Sequence, residues 1–240
     1  KFGVDVTIVE IEERILKRVA AKETSDYIRS LHISNGVNIK EAVGLGKLEI
    51  ADDKVLSASL TDGSDIDVDF VIVGIGITPN TELAEGANLK INNGIFINDK
   101  CQTSFSNIYA AGDCTSFEYK DTLVRLESVG NAIDQATIVA QNIMKQNTNY
   151  IPKPWFWSDQ YDHKLQIVGI SGEHDEVVVR GSQEESKFML FYLKEQKLIA
   201  VDSVNNPKEF LICRKLVENK VKISSDDILN QSKNLNDLII

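Results

Sequence analysis

The sequence predicts an α/β chain that ends in an α+β part with an antiparallel sheet, and three observations support this fold class. A β-branched run at 4–10 is followed by a helical pattern, which is the order of a parallel βα unit. A second helical pattern follows a strand and a glycine–acid turn near residue 112. After residue 151, short apolar runs recur about every ten residues, which is typical of an antiparallel sheet.

The first 80 residues are predicted to hold strands, one helix and a meander. The apolar pattern predicts a strand at 4–10, an amphipathic helix segment at 14–31 and a short strand at 37–39. Alternating residues at 47–69, interrupted by two turn signals, predict an antiparallel hairpin meander. The run at 70–77 is continuously apolar apart from two glycines, which predicts a buried strand that ends in a loop.

The later part of the chain is predicted to change architecture near Tyr150. Before it, the pattern indicates strands at 94–98 and 108–111 and a helix face at 132–144. After Pro152-Lys153-Pro154, the predicted elements are strands at 165–170, 176–180, 188–193 and 198–204, a helix at 207–219 and a polar tail. A strand, a glycine–acid turn and a helix in this order suit a cofactor-binding edge, whereas the last 90 residues favour a separate domain.

Composition limits the functional classes. The chain has 240 residues, 42% of them hydrophobic, and a net charge of -10, which excludes a disordered chain and disfavours nucleic acid or an anionic membrane as the main partner. No apolar run approaches the ~20 residues of a membrane span and no leader pattern opens the chain, so we expect a cytoplasmic protein. The cysteines Cys101, Cys114 and Cys213 are too far apart for a CxxC metal or redox site, and no metal site is expected.

Several residues lie where strands are predicted to end. In a dinucleotide fold, an acid at the position of Glu10 binds the ribose hydroxyls and repels a 2′-phosphate, which favours NAD; the alternative is a solvated surface glutamate. Arg14 and Arg18 would lie on the helix beside it, either as phosphate or adenine contacts or as surface charges. Gly74 and Gly76 would let a cofactor approach the backbone, although tight packing also requires glycine.

Asp113, in the run IYAAGDC, carries the strongest single signal. Its carboxylate follows small residues and a glycine, and it can accept hydrogen bonds from a polyol such as the ribityl chain of a flavin. The alternative is an aspartate that only stabilises a turn. Cys114 has no resolving cysteine or base nearby in the sequence and is expected to be structural. No GxGxxG or GxxxxGK[ST] motif occurs in the chain, so we expect any phosphate loop to lie outside it.

Four motifs occur in order along the chain: NIYAAGDC, RLESVGNAIDQA, PWFWSDQYDHKLQIVG and VDSVNNPKEFLICRKL. Together they resemble the FAD-dependent NADH:ferredoxin reductase family of putidaredoxin, rhodocoxin and biphenyl-dioxygenase reductases, which is related to apoptosis-inducing factor. The resemblance covers nearly the whole chain, and PWFWSDQ is the most specific motif. It implies incomplete Rossmann-like NAD- and FAD-binding parts, with 1–80 as the later part of the NAD-binding domain, 81–150 as the closing part of the FAD-binding domain and 151–240 as the C-terminal reductase domain.

The resemblance also implies roles for single residues on the NAD side. Glu10 would bind the NAD ribose, and Arg18, with Arg14 as a further candidate, would contact the same nucleotide. The backbone of Ile75 and Gly76 would lie near nicotinamide.

On the FAD side, the resemblance implies contacts from four residues. Asp113 would bind the ribityl-phosphate arm, and the Val129 amide would face the pyrimidine edge of the ring at the start of a helix. Glu127 would lie beside nicotinamide or flavin, and Trp157 beside the isoalloxazine. Without the motif around it, the Trp155-Phe156-Trp157 cluster would be interpreted as core.

The implied function is transfer of a hydride from NADH to FAD and then of single electrons to a ferredoxin-type iron–sulfur protein, with no protein residue acting as nucleophile or acid. Arg214 and Lys215 would present positive charge to an acidic ferredoxin, or would be solvated helix charges. One alternative is a non-catalytic, NADH- and FAD-dependent redox-sensing or interaction protein resembling apoptosis-inducing factor. Another is an inert folded fragment.

The start of the chain gives a further expectation. The residues Lys1-Phe2-Gly3 indicate the end of a helix capped by glycine. The resemblance implies that the two glycine-rich phosphate-binding segments would precede Lys1. We therefore expect the chain alone to bind NAD and FAD poorly, to be inactive, and to be completed by another segment or by self-association.

Overall fold

The computed structural model describes residues 3–238, which form two compact units that meet in the sequence at Ile75 and Gly76. The predicted helix end at 1–3 falls on Lys1 and Phe2, which lie outside the described residues. Within residues 3–238, none of the helices combines the length and the apolar character needed to cross a membrane.

The first unit contains a parallel strand pair and an antiparallel meander. Its elements in chain order are β1 (Thr7–Glu10), α1 (Lys22–Ser34), β2 (Asn38–Glu41), β3 (Leu45–Ala51), β4 (Lys54–Leu60) and β5 (Asp65–Asp67). Strands β1 and β2 pair in parallel, and β3, β4 and β5 form an antiparallel sheet in that order. The βαβ order and the meander are therefore confirmed, although β1 is shorter than predicted.

The predicted helix at 14–31 is wrong over its first eight residues, because α1 begins only at Lys22. Residues 11–20 form turns instead, and Leu16 has a φ of 58°, which interrupts a helix. Side chains from later elements stabilise these turns: the Ser25 hydroxyl donates to the Ile15 carbonyl at 2.7 Å, and the Ile15 amide donates to Glu41 Oε1 at 2.7 Å. Ile15 and Ala20 are nevertheless buried, so the spacing of the apolar residues indicated their burial correctly but not their secondary structure.

The predicted buried strand at 70–77 is also wrong. This segment is not assigned to a strand, and no ladder joins it to another described segment of residues 3–238. Its apolar side chains are exposed, Ile72 by 85% and Ile75 by 93%. A continuously apolar strand requires neighbours on both edges and both faces, and the described strands of the first unit supply none here.

The second unit begins with a small mixed sheet and a long helix. Its first elements are α2 (Glu82–Gly86), β6 (Ile95–Phe96), β7 (Thr115–Tyr119), β8 (Thr122–Val124) and α3 (Val129–Ile143). Strand β6 pairs in parallel with β7, which pairs antiparallel with β8. The strand at 94–98 and the helix are confirmed. The predicted strand at 108–111 is wrong, because this segment makes only one isolated bridge, between Tyr109 and Gln102.

The C-terminal part contains a five-stranded antiparallel sheet followed by helices. Its elements are β9 (Trp155–Gln160), β10 (His163–Gly169), β11 (Glu176–Ser182), β12 (Lys187–Lys194), β13 (Lys197–Val204), α4 (Pro207–Glu218), α5 (Ser225–Leu229) and a 3-10 helix (Leu235–Leu238). The strand order is β11-β12-β13-β10-β9. The four predicted strands and α4 are confirmed, whereas β9 and the two short helices of the tail were not predicted.

The largest core of the second unit lies between this sheet and the helices after it. Phe191 and Leu193 of β12 and Phe210 of α4 are at most 1% exposed, and Ile228 and Leu235 of the tail are buried in the same cluster. The polar tail predicted from the sequence is therefore packed, because single apolar residues anchor it to the sheet.

Arg180 connects the sheet to this tail. Its guanidinium is only 6% exposed and donates to the carbonyl oxygens of Ile228 and Asn230, both at 2.8 Å, and of Lys233 at 3.0 Å. Hydrogen bonds from a charged donor are worth more than neutral ones, and their loss leaves these carbonyls, of which that of Ile228 is buried, without this donor. The hydrogen bonds of this one side chain thus stabilise several backbone carbonyls of the tail that are not joined to one another in a helix or a sheet.

We expect Arg180→Met to destabilise the second unit by roughly 2–4 kcal/mol, because the carbonyls around residue 230 lose their donor. Urea unfolding and limited proteolysis would measure this, and the tail should be cut faster in the variant. Lys187→Met, at the exposed start of β12, is the matched control and should change stability by less than about 0.5 kcal/mol. Equal stability of the two variants would contradict the proposed anchoring role.

Candidate functional site

Glu10 ends β1 as predicted and lies beside Glu41, its ladder partner at the end of β2. The Glu10 carboxylate accepts a hydrogen bond from the Glu12 amide at 2.9 Å. Glu41 accepts two hydrogen bonds from Arg29, both at 2.8 Å, and these hold the pKa of Glu41 below its usual range. Because Arg29 neutralises Glu41, the carboxyl edge of the parallel pair presents two acids with different surroundings.

The predicted placement of Arg14 beside Glu10 on a helix is wrong, because no helix exists there. The Arg14 guanidinium turns toward the start of α1, where it donates to the Ser25 hydroxyl and, at 3.4 Å, to the Ala21 carbonyl. Arg18 is an exposed residue of the turns that precede α1, so the same correction applies to its helical placement. Its contact with a nucleotide stays a prediction.

The glycine-rich segment includes the point of the sequence at which the first unit ends and the second begins. Gly76 has a φ of 101°, and a Cβ built on Gly74 or Gly76 would meet nothing within 4 Å. Ile75 between them is 93% exposed. Among residues 3–238, no close packing at either position explains these glycines, and their role near nicotinamide stays a prediction.

Asp113 is presented by a turn that is fixed to α3. Gly112 has a φ of 91°, which favours glycine, and its amide donates to Gln135 Oε1 at 2.7 Å. A Cβ built on Gly112 would lie 3.6 Å from Cβ of Ala132, so the turn lies directly against the first turns of the helix. Gly112 and Gln135 are buried, whereas Asp113 is exposed. The carboxylate is therefore available to a ligand on a rigid support.

The N-terminus of α3 offers backbone donors close to this turn. The Ser128 hydroxyl caps the helix by accepting from the Asn131 amide at 3.3 Å, and the Ser128 carbonyl accepts from the Ala132 amide. The amides of Val129 and Gly130 precede the first helical hydrogen bond, and Val129 is 61% exposed. Together with the helix dipole, these amides favour an electron-rich or anionic group at this place.

An ordinary surface helix buries apolar side chains and exposes polar ones, whereas α3 buries polar side chains and exposes apolar ones. Its fully buried residues are polar, Asn131 and Gln135, whereas Ile133 and Ile143 are exposed by 61% and 63%. The sequence predicted the apolar face, but that face is mostly exposed in the structure. Buried amides replace apolar side chains because the neighbouring loops need hydrogen-bond partners: Asn131 donates to the Leu126 carbonyl at 2.9 Å.

Glu127 is fixed by a half-buried arginine that was not predicted from the sequence. Arg125 Nη2 lies 2.6 Å from Glu127 Oε1 and 3.3 Å from the Ile77 carbonyl oxygen. The Arg125 side chain is 11% exposed, and its Nε and Nη1 atoms are buried without hydrogen-bond partners among residues 3–238. The Glu127 carboxylate is thus positioned by a guanidinium that has two further donors without partners in this part of the chain.

The two tryptophans of β9 form a stack that reaches both α3 and α4. Their ring centroids are 5.3 Å apart with an interplanar angle of 24°, and Trp157 is 44% exposed. The Arg214 guanidinium carbon lies 4.6 Å from the centroid of the Trp155 ring. On the helix α3 side, a Cβ on Gly130 would lie 2.8 Å from Trp155 Nε1, so only glycine fits against the indole.

Lys215 is exposed on α4 and follows Arg214 in the sequence, and no ion pair within residues 3–238 involves it. Arg214 is half-buried over the Trp155 ring, and its guanidinium makes a cation–π contact with the indole. Of the two predicted docking cations, Lys215 is therefore the one whose charge faces solvent.

Two of the three cysteines, Cys101 and Cys213, are buried and do not offer reactive thiols. Burial, with a smaller contribution from Asp99, raises the pKa of Cys101 to about 12, and burial also raises the pKa of Cys213. Cys114 lies within 3.7 Å of the Ala111 carbonyl oxygen. Among residues 3–238, no group of three or more His, Cys, Asp or Glu side chains has an arrangement that suits a metal ion.

The structure therefore brings some predicted residues together within the second unit. A chain of contacts connects the Asp113 turn with α3, the start of α3 with Trp155, and Trp155 with Trp157. Glu10 and Arg18 belong to the first unit. The residues that make these connections, Gln135, Gly130 and Trp155, were not predicted as site residues; the spacing of Asn131 and Gln135 by one helical turn was the available signal for a buried polar face.

Two family sequence models match the chain. The model described as pyridine nucleotide-disulphide oxidoreductase matches residues 1–136, and the model described as reductase C-terminal matches residues 155–239. The first match covers more than half of the chain and includes the turn with Asp113 and the start of α3. The second covers the five-stranded sheet and the helices that follow it.

Proteins with related sequences include two named reductases. Rhodocoxin reductase from Rhodococcus erythropolis is 37% identical over 228 residues, which cover 94% of this chain and 53% of that protein. Putidaredoxin reductase CamA from Pseudomonas putida is 37% identical over 243 residues, which cover 100% of this chain and 58% of that protein. The chain thus spans a little over half the length of the curated relatives that it matches.

Solved structures show the same fold. The ferredoxin reductase for the CYP199A2 system from Rhodopseudomonas palustris aligns with a TM-score of 0.94 and 36% identity, covering 99% of this chain and 59% of that one. The reductase in the covalent putidaredoxin reductase–putidaredoxin complex aligns with a TM-score of 0.93 and 37% identity, covering 98% of this chain and 58% of that one.

The Arg29–Glu41 pair predicts a pH-dependent contribution to stability. Because the pKa of Glu41 is lowered in the folded state, the contribution is complete above the pKa of an unfolded glutamate, about 4.3, and is lost as the pH falls through the folded value. We expect Glu41→Gln to destabilise the protein by about 1–2 kcal/mol at pH 7 and by much less near pH 3. Urea unfolding at both pH values would measure it.

The matched control for this experiment is Glu49→Gln. Glu49 forms an ion pair with Lys47, but its side chain is 53% exposed, so the substitution should have little effect at either pH. A destabilisation by Glu41→Gln that is equal at both pH values would show that the ion pair is not its cause.

Gly130 predicts a test of the contact between α3 and the tryptophan stack. Gly130→Ala places a methyl group 2.8 Å from Trp155 Nε1, so the indole must shift and the stack with Trp157 should be disturbed. We expect a loss of roughly 1–3 kcal/mol and a changed near-ultraviolet circular dichroism signal. Gly172→Ala, where a Cβ meets nothing within 4 Å, should leave both unchanged. An unaltered signal in the first variant would contradict the contact.

Proposed function

Because the chain belongs to the pyridine nucleotide-disulphide oxidoreductase family, we propose that the protein is an FAD-dependent reductase that oxidises NADH and delivers single electrons to a ferredoxin-type iron–sulfur protein. The observation that carries the proposal is the connected surface of the Asp113 turn, the start of α3 and the tryptophan stack. The carboxylate can accept hydrogen bonds from a polyol arm, and the backbone amides can donate to an electron-rich ring edge. The exposed indole can pack against the face of a ring.

The residues of the second unit fit FAD in this proposal. Asp113 would accept hydrogen bonds from the ribityl-phosphate arm, and the Val129 amide would donate to the pyrimidine edge of the ring. Trp157 would lie beside the isoalloxazine, and Glu127 would lie beside nicotinamide or flavin. Bound FAD would supply the redox chemistry, accepting two electrons with a hydride and releasing them singly. The side chains would orient it and exclude water.

The first unit would bind NAD in the same proposal. Glu10 would bind the ribose hydroxyls at the end of β1, with Arg18 on the same nucleotide and the backbone of Ile75 and Gly76 near nicotinamide. The exposure of Ile75 and the open space at Gly76 support an approach of a ligand to this backbone.

We also propose the domain assignment that the motifs imply. Residues 1–80 would contribute to the NAD-binding domain, 81–150 to the FAD-binding domain and 151–240 to the C-terminal reductase domain. The two family matches, which leave only residues 137–154 and 240 outside, support a boundary near Tyr150. A cytoplasmic location remains part of the proposal.

The partner would be an acidic iron–sulfur protein that approaches α4. The positive charges of Lys215 and Arg214 would attract it, and the stack of Trp155 and Trp157 connects this helix with the start of α3. The covalent complex of the related putidaredoxin reductase with putidaredoxin supports a partner of this class. The net charge of -10 makes a local cationic surface necessary for such an approach.

The proposal is tested with the protein expressed from its complete reading frame. We expect one bound FAD per chain and its bleaching near 450 nm on addition of NADH, followed by reduction of an added ferredoxin. Asp113→Ala should lose most of the FAD on gel filtration while the fold is retained. A wild-type protein that binds no flavin, or whose flavin NADH does not reduce, would refute the function.

A charge variant separates the partner from the chemistry. Lys215→Glu should raise the KM for ferredoxin several-fold, because about 1 kcal/mol of electrostatic attraction to the ferredoxin is lost. It should leave the bleaching of the flavin by NADH unchanged. Lys54→Glu makes the same charge change in the first unit and should affect neither step. An unchanged KM in the first variant would refute docking at α4.

A further inference from the structure

We infer that Gln135 is the residue that positions Asp113 for flavin binding, an inference that rests on the proposed function. Gln135 Oε1 accepts a hydrogen bond from the Gly112 amide at 2.7 Å and lies 3.0 Å from the Thr115 hydroxyl. These contacts cross 23 and 20 residues of sequence and join the loop before β7 to the second turn of α3. Gln135 is 0% exposed, so it acts through Asp113 and not by touching the ligand itself.

The orientation of the Gln135 carboxamide shows which of its groups is needed. Its Nε2 atom is buried and has no hydrogen-bond partner among residues 3–238. Turning the amide over would place this donor against the Gly112 amide, which is also a donor, and the two would repel. The side chain therefore leaves one buried donor unsatisfied in order to accept from Gly112. A buried donor without a partner is unfavourable, so the hydrogen bond from the Gly112 amide explains this orientation of the carboxamide.

The turn depends on this side chain because the hydrogen bonds within the turn hold only the carbonyl of Gly112 and not its amide. Gly112 has a φ of 91° and few conformational restraints, and the local bonds of the turn run from the amide and hydroxyl of Thr115 to the Gly112 carbonyl, at 3.0 and 2.8 Å. The Gly112 amide points the other way, toward α3. Gln135 thus sets the position of Asp113 relative to the Val129 amide, the other proposed flavin contact.

This arrangement places two ligand contacts on one rigid body. Without the Gln135 acceptor, the Gly112 amide is buried without a partner, and the turn must shift toward water to satisfy it. Asp113 then moves away from the position that α3 imposes. The effect on flavin affinity is therefore transmitted through Asp113 and disappears when the Asp113 carboxylate is absent.

A double-mutant cycle on the complete protein tests this coupling. Gln135→Met keeps the side-chain length and removes the acceptor, and Asp113→Ala removes the carboxylate. FAD dissociation constants are measured by flavin fluorescence. We expect about a tenfold loss of affinity from each single substitution, and less than about a twofold further loss from Gln135→Met when Asp113→Ala is already present. Effects that multiply in the double variant would overturn the positioning role.

A half-buried amide further along α3 gives the matched control. Asn142 donates to the carbonyls of Lys100 and Thr148 and accepts from the Thr148 amide, so Asn142→Leu removes comparable hydrogen bonds elsewhere on the helix. It should lower thermal stability without changing FAD affinity. An equal loss of FAD affinity in Asn142→Leu and Gln135→Met would mean that both act only through stability, and would overturn the inference.

Hydrogen exchange without FAD separates the inference from the proposed function. In the flavin-free protein, Gln135→Met should speed exchange of the Gly112 amide at least tenfold, and Asn142→Leu should not. If wild-type protein takes up no FAD, the proposed function fails and the flavin role of Gln135 fails with it. Unchanged exchange at Gly112 in a protein that does bind FAD would overturn the positioning role alone.

Discussion

The second unit depends on the hydrogen bonds that two buried amide side chains of α3 make with the loops on either side of the helix. Gln135 accepts from the Gly112 amide, and Asn131 donates to the Leu126 carbonyl and accepts from the Tyr150 hydroxyl. These hydrogen bonds hold three segments against α3. They are the turn before β7, the segment before α3 and the chain that enters the C-terminal sheet. Polar contacts of this kind define a single arrangement, because each unsatisfied group would be unfavourable.

The C-terminal sheet meets the same helix through packing instead of hydrogen bonds. Trp155 lies between Gly130 of α3 and Arg214 of α4, and Trp157 continues the stack toward solvent. The indole has a polar edge and two apolar faces, so it can meet a glycine backbone, a cation and a second ring at once. The proposed flavin contacts and the proposed docking helix are thus parts of one packed region.

Sequence patterns predicted the elements whose own residues carry a local signal. The meander, the four later strands and α4 were predicted because alternation, turn residues and helical spacing are local. The turns around Ile15 were missed because Ser25 and Glu41, ten and 26 residues away, stabilise them. In the site, motifs identified Asp113 and Trp157 as candidates, whereas Gln135 is recognisable only once the loop and helix are seen together.

The exposed apolar segment at 70–77 has a consequence for the behaviour of the protein in solution. The segment has several β-branched side chains, no charge and no proline, and it has no ladder partner among residues 3–238. Segments of this composition add to one another edge to edge. The net charge of -10 opposes such association by long-range repulsion between molecules. Colloidal stability therefore depends on ionic strength, since salt screens the repulsion and leaves the apolar attraction intact.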